Sequence, residues 1–160
     1  MLEAWRMVKE KHVATAFSAE GAVKTGGRWN SRGVAVVYAS ATRSLAALET
    51  LVHLNPQVMF NYRIIRVEFD ESLVERLTRA ALPSDWKMEP PPLSTRQLGD
   101  NWARSSHSAI LAVPSVIIPD EMNYVLNPAH PDFKRIASDP SNSPSKGRWR
   151  SGVEGIATAA

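Results

Sequence analysis

Hydrophobic and polar positions along the chain fall into short stretches of period two, interrupted early by one clear stretch of helical period. Leu2 to Val8 reads as a first strand, with Arg6 on it. Val34-Ala35-Val36-Val37-Tyr38-Ala39 is an apolar, largely β-branched run entered from Gly33 and left through Ser40, which predicts a buried strand with Tyr38 at its C-terminal end. Thr42 to Leu54 follows, with Leu45, Leu48 and Val52 at helical spacing, Ser40 or Thr42 as N-cap and Asn55-Pro56 as the stop. Glu49 borders that apolar stripe, whereas a carboxylate needed only for solvation would be expected elsewhere on the helix. His53, one turn later, lies on the same flank.

Beyond the helix, Val58 to Asp70 alternates as a long strand, with Tyr62, Ile64, Arg66 and Glu68 on one face and Ile65, Val67 and Phe69 on the other. Glu71 to Thr78 is expected to be a short helix, and Pro83 to Pro92 a proline-broken loop. Ser94-Thr95-Arg96-Gln97 has the form of a capping box and opens a helix carrying Leu98, Trp102 and Ala103 to about Ser105. Strand-like Ala109 to Val113 and Val116 to Ile118 flank Pro114-Ser115, so Ser115 falls at an interruption where its side chain could face a cleft. Asn123 to Asn127 reads as another short strand, Asn127 to Pro131 as a turn, and Asp132 to Ala137 as a last helical turn. From Ser138 the chain is rich in Ser, Pro and Gly, with Trp149 as its only large anchor. The expected organisation is therefore one domain over residues 1–137 and a tail, mobile or docked on a partner, over 138–160. The order of elements implies a mixed α+β domain and not regular βαβ alternation.

The candidate chemistry concentrates in Gly26-Gly27-Arg28-Trp29-Asn30, Tyr38 and Glu49. Two glycines allow the backbone to approach a ligand, the guanidinium is a planar fork that matches phosphate oxygens, and the next strand and helix add an aromatic face and a carboxylate.

These residues carry a resemblance. Gly27-Arg28-Trp29-Asn30, Tyr38-Ala39, Ala47-Leu48-Glu49-Thr50-Leu51-Val52-His53, Val113-Pro114-Ser115-Val116-Ile117-Ile118-Pro119 and Asn123-Tyr124-Val125-Leu126-Asn127-Pro128 occur in the order and with the spacing of the RES domain. The chain resembles that family from about Trp5 to Phe133, its Arg, Glu and Ser motifs falling on Arg28, Glu49 and Ser115. The resemblance implies a fold like that of the ADP-ribosyltransferase toxins and the toxin half of a toxin–antitoxin module, with an Xre-like antitoxin as partner. It also implies NAD⁺ as a consumed substrate, with ADP-ribose passed to a protein, to water or to phosphate. Cleaving the nicotinamide–ribose bond develops oxocarbenium character, which a carboxylate such as Glu49 can stabilise. Arg28 would grip the pyrophosphate, with Arg6 as a second phosphate or ribose ligand. Tyr38 would stack on nicotinamide or pack the ribose, His53 would hydrogen-bond to Glu49 or to the same ligand, and Ser115 and Asn123 would supply neutral donors and acceptors to ribose or carboxamide. The tail beyond Ser138 does not follow the usual end of the family.

Composition adds bounds. The chain has 160 residues, 44% hydrophobic and 22% charged, ordinary for one globular domain. Lack of cysteine excludes disulfides, cysteine–zinc sites and thiol nucleophiles, which suits a cytoplasmic setting. No apolar stretch reaches membrane length and the N-terminal residues do not form a signal peptide. A net charge of +3 arises from scattered bases without a Lys/Arg run, so direct nucleic-acid binding is not expected. His12, His53, His107 and His130 lack metal-ligand spacing, so no metal is expected. Two other classes stay open at this level: a ribonuclease-type toxin using Arg28, His53 and Glu49, and a non-catalytic nucleotide- or protein-binding domain.

Overall fold

The computed structural model describes residues 1–53, 61–139 and 146–147. In chain order the elements are β1 (Leu2–Lys9), α1 (Glu20–Thr25), β2 (Val37–Ser40), α2 (Arg43–Leu51), β3 (Tyr62–Phe69), β4 (Val74–Arg76), α3 (Leu93–Ser105), β5 (Ile110–Pro114), β6 (Met122–Leu126), β7 (Ala137–Asp139) and β8 (Lys146–Gly147). All eight strands join one sheet in the order β4-β5-β6-β2-β1-β3-β7, with β8 also paired to β3. β4 and β5 are parallel and the remaining pairings antiparallel. The mixed α+β architecture is the one expected.

Both faces of the sheet are covered, which explains why its middle strands read as continuous apolar runs. On β5, Ile110 and Ala112 join the core of Ala4, Ala39, Val67, Phe69 and Leu126, while Leu111 and Val113 pack with Trp29, Val36, Trp102 and Val125 on the other side. Each fully buried Val, Leu, Ile or Phe side chain among these contributes about 1.5–3 kcal/mol. α2 starts as its sequence suggests: the Thr42 side chain accepts from the Leu45 N–H at 3.0 Å, replacing one of the bonds that a helix start lacks. Its inner face, Leu45, Ala46 and Ala47, is buried, and the small Ala46 and Ala47 let the helix lie close on Trp5, Met7 and Ile64.

Several local expectations are corrected. The apolar stripe of α2 does not run through Val52, which is 54% exposed, because contact with β1 turns the alanine face inward. The strand before it begins at Val37, not Val34. Residues 71–78 do not form a helix: a single 3-10 turn, Glu71–Leu73, leads into β4, whose Val74, Glu75 and Arg76 pair with Ile110, Leu111 and Ala112. Val116–Ile118 is not a strand, since the chain turns there and the Ser115 hydroxyl accepts the N–H groups of both Ile117 and Ile118. The capping box does not form. α3 starts at Leu93 with Pro92 as N-cap, and Ser94 Oγ donates to Asp85 instead. Pro131–Arg135 is a 3-10 turn, and β7 follows it and pairs with Arg66–Glu68, so the expected boundary at residue 137 falls inside a strand. β1 is internal, between β2 and β3, so Arg6 stands on a central strand of the sheet. α1 was not anticipated. The Asn55-Pro56 stop, the Val58–Phe60 part of the long strand and Trp149 lie outside the described residues.

Gly99 shows how closely α3 approaches the Gly26–Asn30 segment. A Cβ at Gly99 would lie 1.8 Å from the Trp29 carbonyl oxygen. Gly99→Ala is expected to destabilise the protein by about 1–3 kcal/mol through overpacking against backbone that has no rotamer to yield. Chemical denaturation measures this, and an unchanged midpoint would show that the helix and segment can part without cost.

Candidate active site

An open cleft of about 900 Å³ is bounded by β1 and β2, by α2, by the Thr25–Trp29 segment and by the chain around Glu89, Pro91 and Arg96. Its volume suits a ligand of dinucleotide size. Six of the seven residues singled out from the sequence line it: Arg6, Arg28, Tyr38, Glu49, His53 and Asn123. The seventh, Ser115, is fully buried behind Glu49.

Glu49 projects from α2 and is held by groups distant in sequence. Ser115 Oγ donates to its Oε1 at 2.7 Å and Asn123 Nδ2 donates to the same oxygen at 2.6 Å. The backbone N–H groups of Ile117 and Ile118 both donate to Ser115 Oγ at 3.1 Å, which leaves the hydroxyl proton for the carboxylate. Ser40 Oγ donates to Asn123 Oδ1 at 2.7 Å, consistent with the Asn123 amide turning its NH₂ toward Glu49. One carboxylate oxygen is therefore saturated by neutral donors, and among the described residues Oε2 has no partner. Such an arrangement fixes the carboxylate in place and orients its free oxygen.

Tyr38 is fixed by its hydroxyl, which donates to Asn30 Oδ1 at 2.7 Å and accepts the Trp29 N–H at 3.1 Å. Burial raises its phenol above the ordinary tyrosine range, so it stays neutral and serves as a surface rather than as a base. The second glycine of the motif makes this possible, since a Cβ on Gly27 would meet the Tyr38 hydroxyl at 2.7 Å. Asn30, fully buried, returns its Nδ2 to the carbonyls of Ala22 and Val34 at 3.0 Å, so the segment between α1 and β2 is locked around one side chain.

Among the described residues three arginines line the cleft. Arg6 donates from Nε to the Ala16 carbonyl and from Nη1 to the Tyr38 carbonyl, each at 2.7 Å, and burial lowers its pKa to about 10, so it remains a cation at neutral pH. Arg28, with its side chain 14% exposed, gives Nη1 to the carbonyls of Trp86 and Met88 at 2.9 Å and Nη2 to Glu89 at 2.7 Å. It thereby ties the proline-rich loop to the glycine segment. Arg96, in the first turns of α3, was not singled out from the sequence, and neither was Ser40. An arginine four residues before Asp100 on a helix reads as half of an ion pair; in the fold, Asp100 instead accepts the Ser31 N–H at 2.8 Å. His53 stands exposed on the turn after α2, at the rim. Among the described residues no group of three or more His, Asp or Glu is placed to hold a metal ion, and no helix is long and apolar enough to cross a membrane.

Comparison with known proteins adds family evidence to this geometry. The family model described as RES domain matches residues 3–149, which runs beyond Phe133 and into the segment after Ser138. A protein of Sphingobium sp. (strain YBL2) named Prs ADP-ribosylating toxin is 43% identical over 138 residues, 82% of this chain and 86% of its own length. A protein of Yersinia enterocolitica serotype O:8 named Toxin Res is 35% identical over 135 residues, 84% of this chain and 89% of its own. Among solved structures, a chain of the M. tuberculosis MbcT–MbcA toxin–antitoxin complex shares the fold with a TM-score of 0.67 at 18% identity, over 86% of this chain and 81% of that one.

Proposed function

This chain belongs to the RES domain family, and from that premise we propose that it is the toxin of a toxin–antitoxin module, acting in the cytoplasm by breaking the nicotinamide–ribose bond of NAD⁺. The observation that carries this reading is Glu49, tied through one oxygen to Ser115 and Asn123 with its other oxygen free, in a cleft where Arg6 and Arg28 supply positive charge. As the bond between C1 of the ribose and the pyridinium nitrogen breaks, its electron pair leaves with nicotinamide and positive charge gathers on the ribose. A fixed carboxylate stabilises that charge more in the transition state than in the ground state, and this difference is what accelerates the reaction. The ring of Tyr38 offers a neutral face to nicotinamide or ribose, while the arginines favour the anionic diphosphate. Ser115 and Asn123 act through Glu49, holding its orientation.

The nucleophile that attacks the ribose carbon, losing a proton as it does so, is in this reading a side chain of a target protein. The name of the Sphingobium relative supports that choice over water or phosphate. An Xre-like antitoxin would restrain the enzyme by covering the cleft. Incubating the free protein with NAD⁺ labelled on the adenosine side, and following both nicotinamide release and transfer of label to protein, tests the reading. Release with label on protein is expected. Release with label only in free ADP-ribose or its phosphate would replace transferase by hydrolase or phosphorylase, and absence of release from the free protein would sink the proposal.

A further inference from the structure

The three cleft arginines differ in what their guanidinium groups have left to give. Arg28 spends both terminal nitrogens on its own fold, on the carbonyls of Trp86 and Met88 and on Glu89. Arg6 spends Nε and Nη1 on the carbonyls of Ala16 and Tyr38. Arg96 makes one long bond, Nε to the Gly27 carbonyl at 3.3 Å, and among the described residues neither of its terminal nitrogens has a partner. That bond directs its side chain along the glycine segment at the cleft wall. Its neighbour of opposite charge one turn on, Asp100, is buried and committed to the Ser31 N–H. A cation near the start of a helix also gains nothing from the helix dipole, so among the described residues the long bond to Gly27 is the one hydrogen bond the side chain gives the fold.

We infer that Arg96 is the residue that binds the diphosphate of the ligand, with Arg28 serving to hold the cleft wall in place. The inference rests on the reading of the cleft as a dinucleotide site and names the group in it that receives the phosphates. A partly buried arginine whose two terminal nitrogens are unused can bind two phosphate oxygens at once without giving up any bond of the folded protein. Arg28 could bind as fully only by releasing the loop.

The test compares ADP with adenosine on the full chain by calorimetry, for the wild type, Arg96→Ala and Arg96→Lys. ADP affinity is expected to fall about 100-fold or more in Arg96→Ala, the loss of two charge-assisted bonds, and to be recovered only in part by Arg96→Lys, with adenosine binding and the melting temperature unchanged. Equal ADP binding by wild type and Arg96→Ala would overturn the assignment, as would equal losses for ADP and adenosine, or no ADP binding by the wild type. Binding of ADP that depends on Arg96 in a protein that releases no nicotinamide from NAD⁺ would leave this assignment standing and remove the proposed reaction instead.

Discussion

Glu49→Gln is expected to lower kcat for nicotinamide release about 10³-fold, roughly 4 kcal/mol of transition-state stabilisation, with a much smaller change in KM. The geometry makes the substitution specific. Glu49 Oε1 accepts from Ser115 and Asn123, and the amide oxygen of glutamine can accept the same two bonds. Its NH₂ then replaces the free carboxylate oxygen, so a donor dipole faces the position where cationic charge develops. The helix, the two partners and the volume are retained, and the melting temperature should move little. Steady-state kinetics with NAD⁺ on the free protein decides the matter: turnover within a few fold of wild type would remove Glu49 from the reaction, and a kcat loss accompanied by loss of folding would leave its role structural.

Arg28→Ala should instead raise KM, by about 100-fold or more, and cost stability as well. Two backbone carbonyls and Glu89 lose a shared cation whose side chain is largely buried. Bonds to a charged group are worth about 1.5–3 kcal/mol each, and the contribution of Glu89, itself 68% exposed, is discounted for solvent screening. With the loop released, the cleft loses a wall and substrate binding suffers before chemistry does. Arg28→Lys should recover little, because an ammonium keeps the charge but not the planar fork that reaches three acceptors in different directions. Thermal melts alongside KM separate this from a surface arginine: unchanged stability and full activity in the lysine variant would show that Arg28 holds nothing in place.

Much of this protein was legible in its sequence because the relevant signals are local. The period-two run of β3 reports which side chains share a face, and Thr42 before Leu45 marks a helix start, since both follow from backbone geometry within a few residues. Arg28, Tyr38 and Glu49 stood out by residue type and spacing, and the fold brings all three to one cleft. What only the tertiary structure decided depends on groups far apart in the chain. Val74–Arg76 is a strand because β5, more than thirty residues later, offers it a parallel edge, and no local preference encodes that offer. Ser115 turns inward to Glu49, 66 positions away, and not outward to a ligand. Among the described residues the terminal nitrogens of Arg96 are left without a partner, while Asp100 bonds to Ser31 on another segment. A sequence fixes which donors, acceptors and charges a chain possesses; which of them satisfy one another, and which are left over for a ligand, is settled only when non-local packing sets their distances, because a hydrogen bond or ion pair is lost within an ångström or two of its optimum.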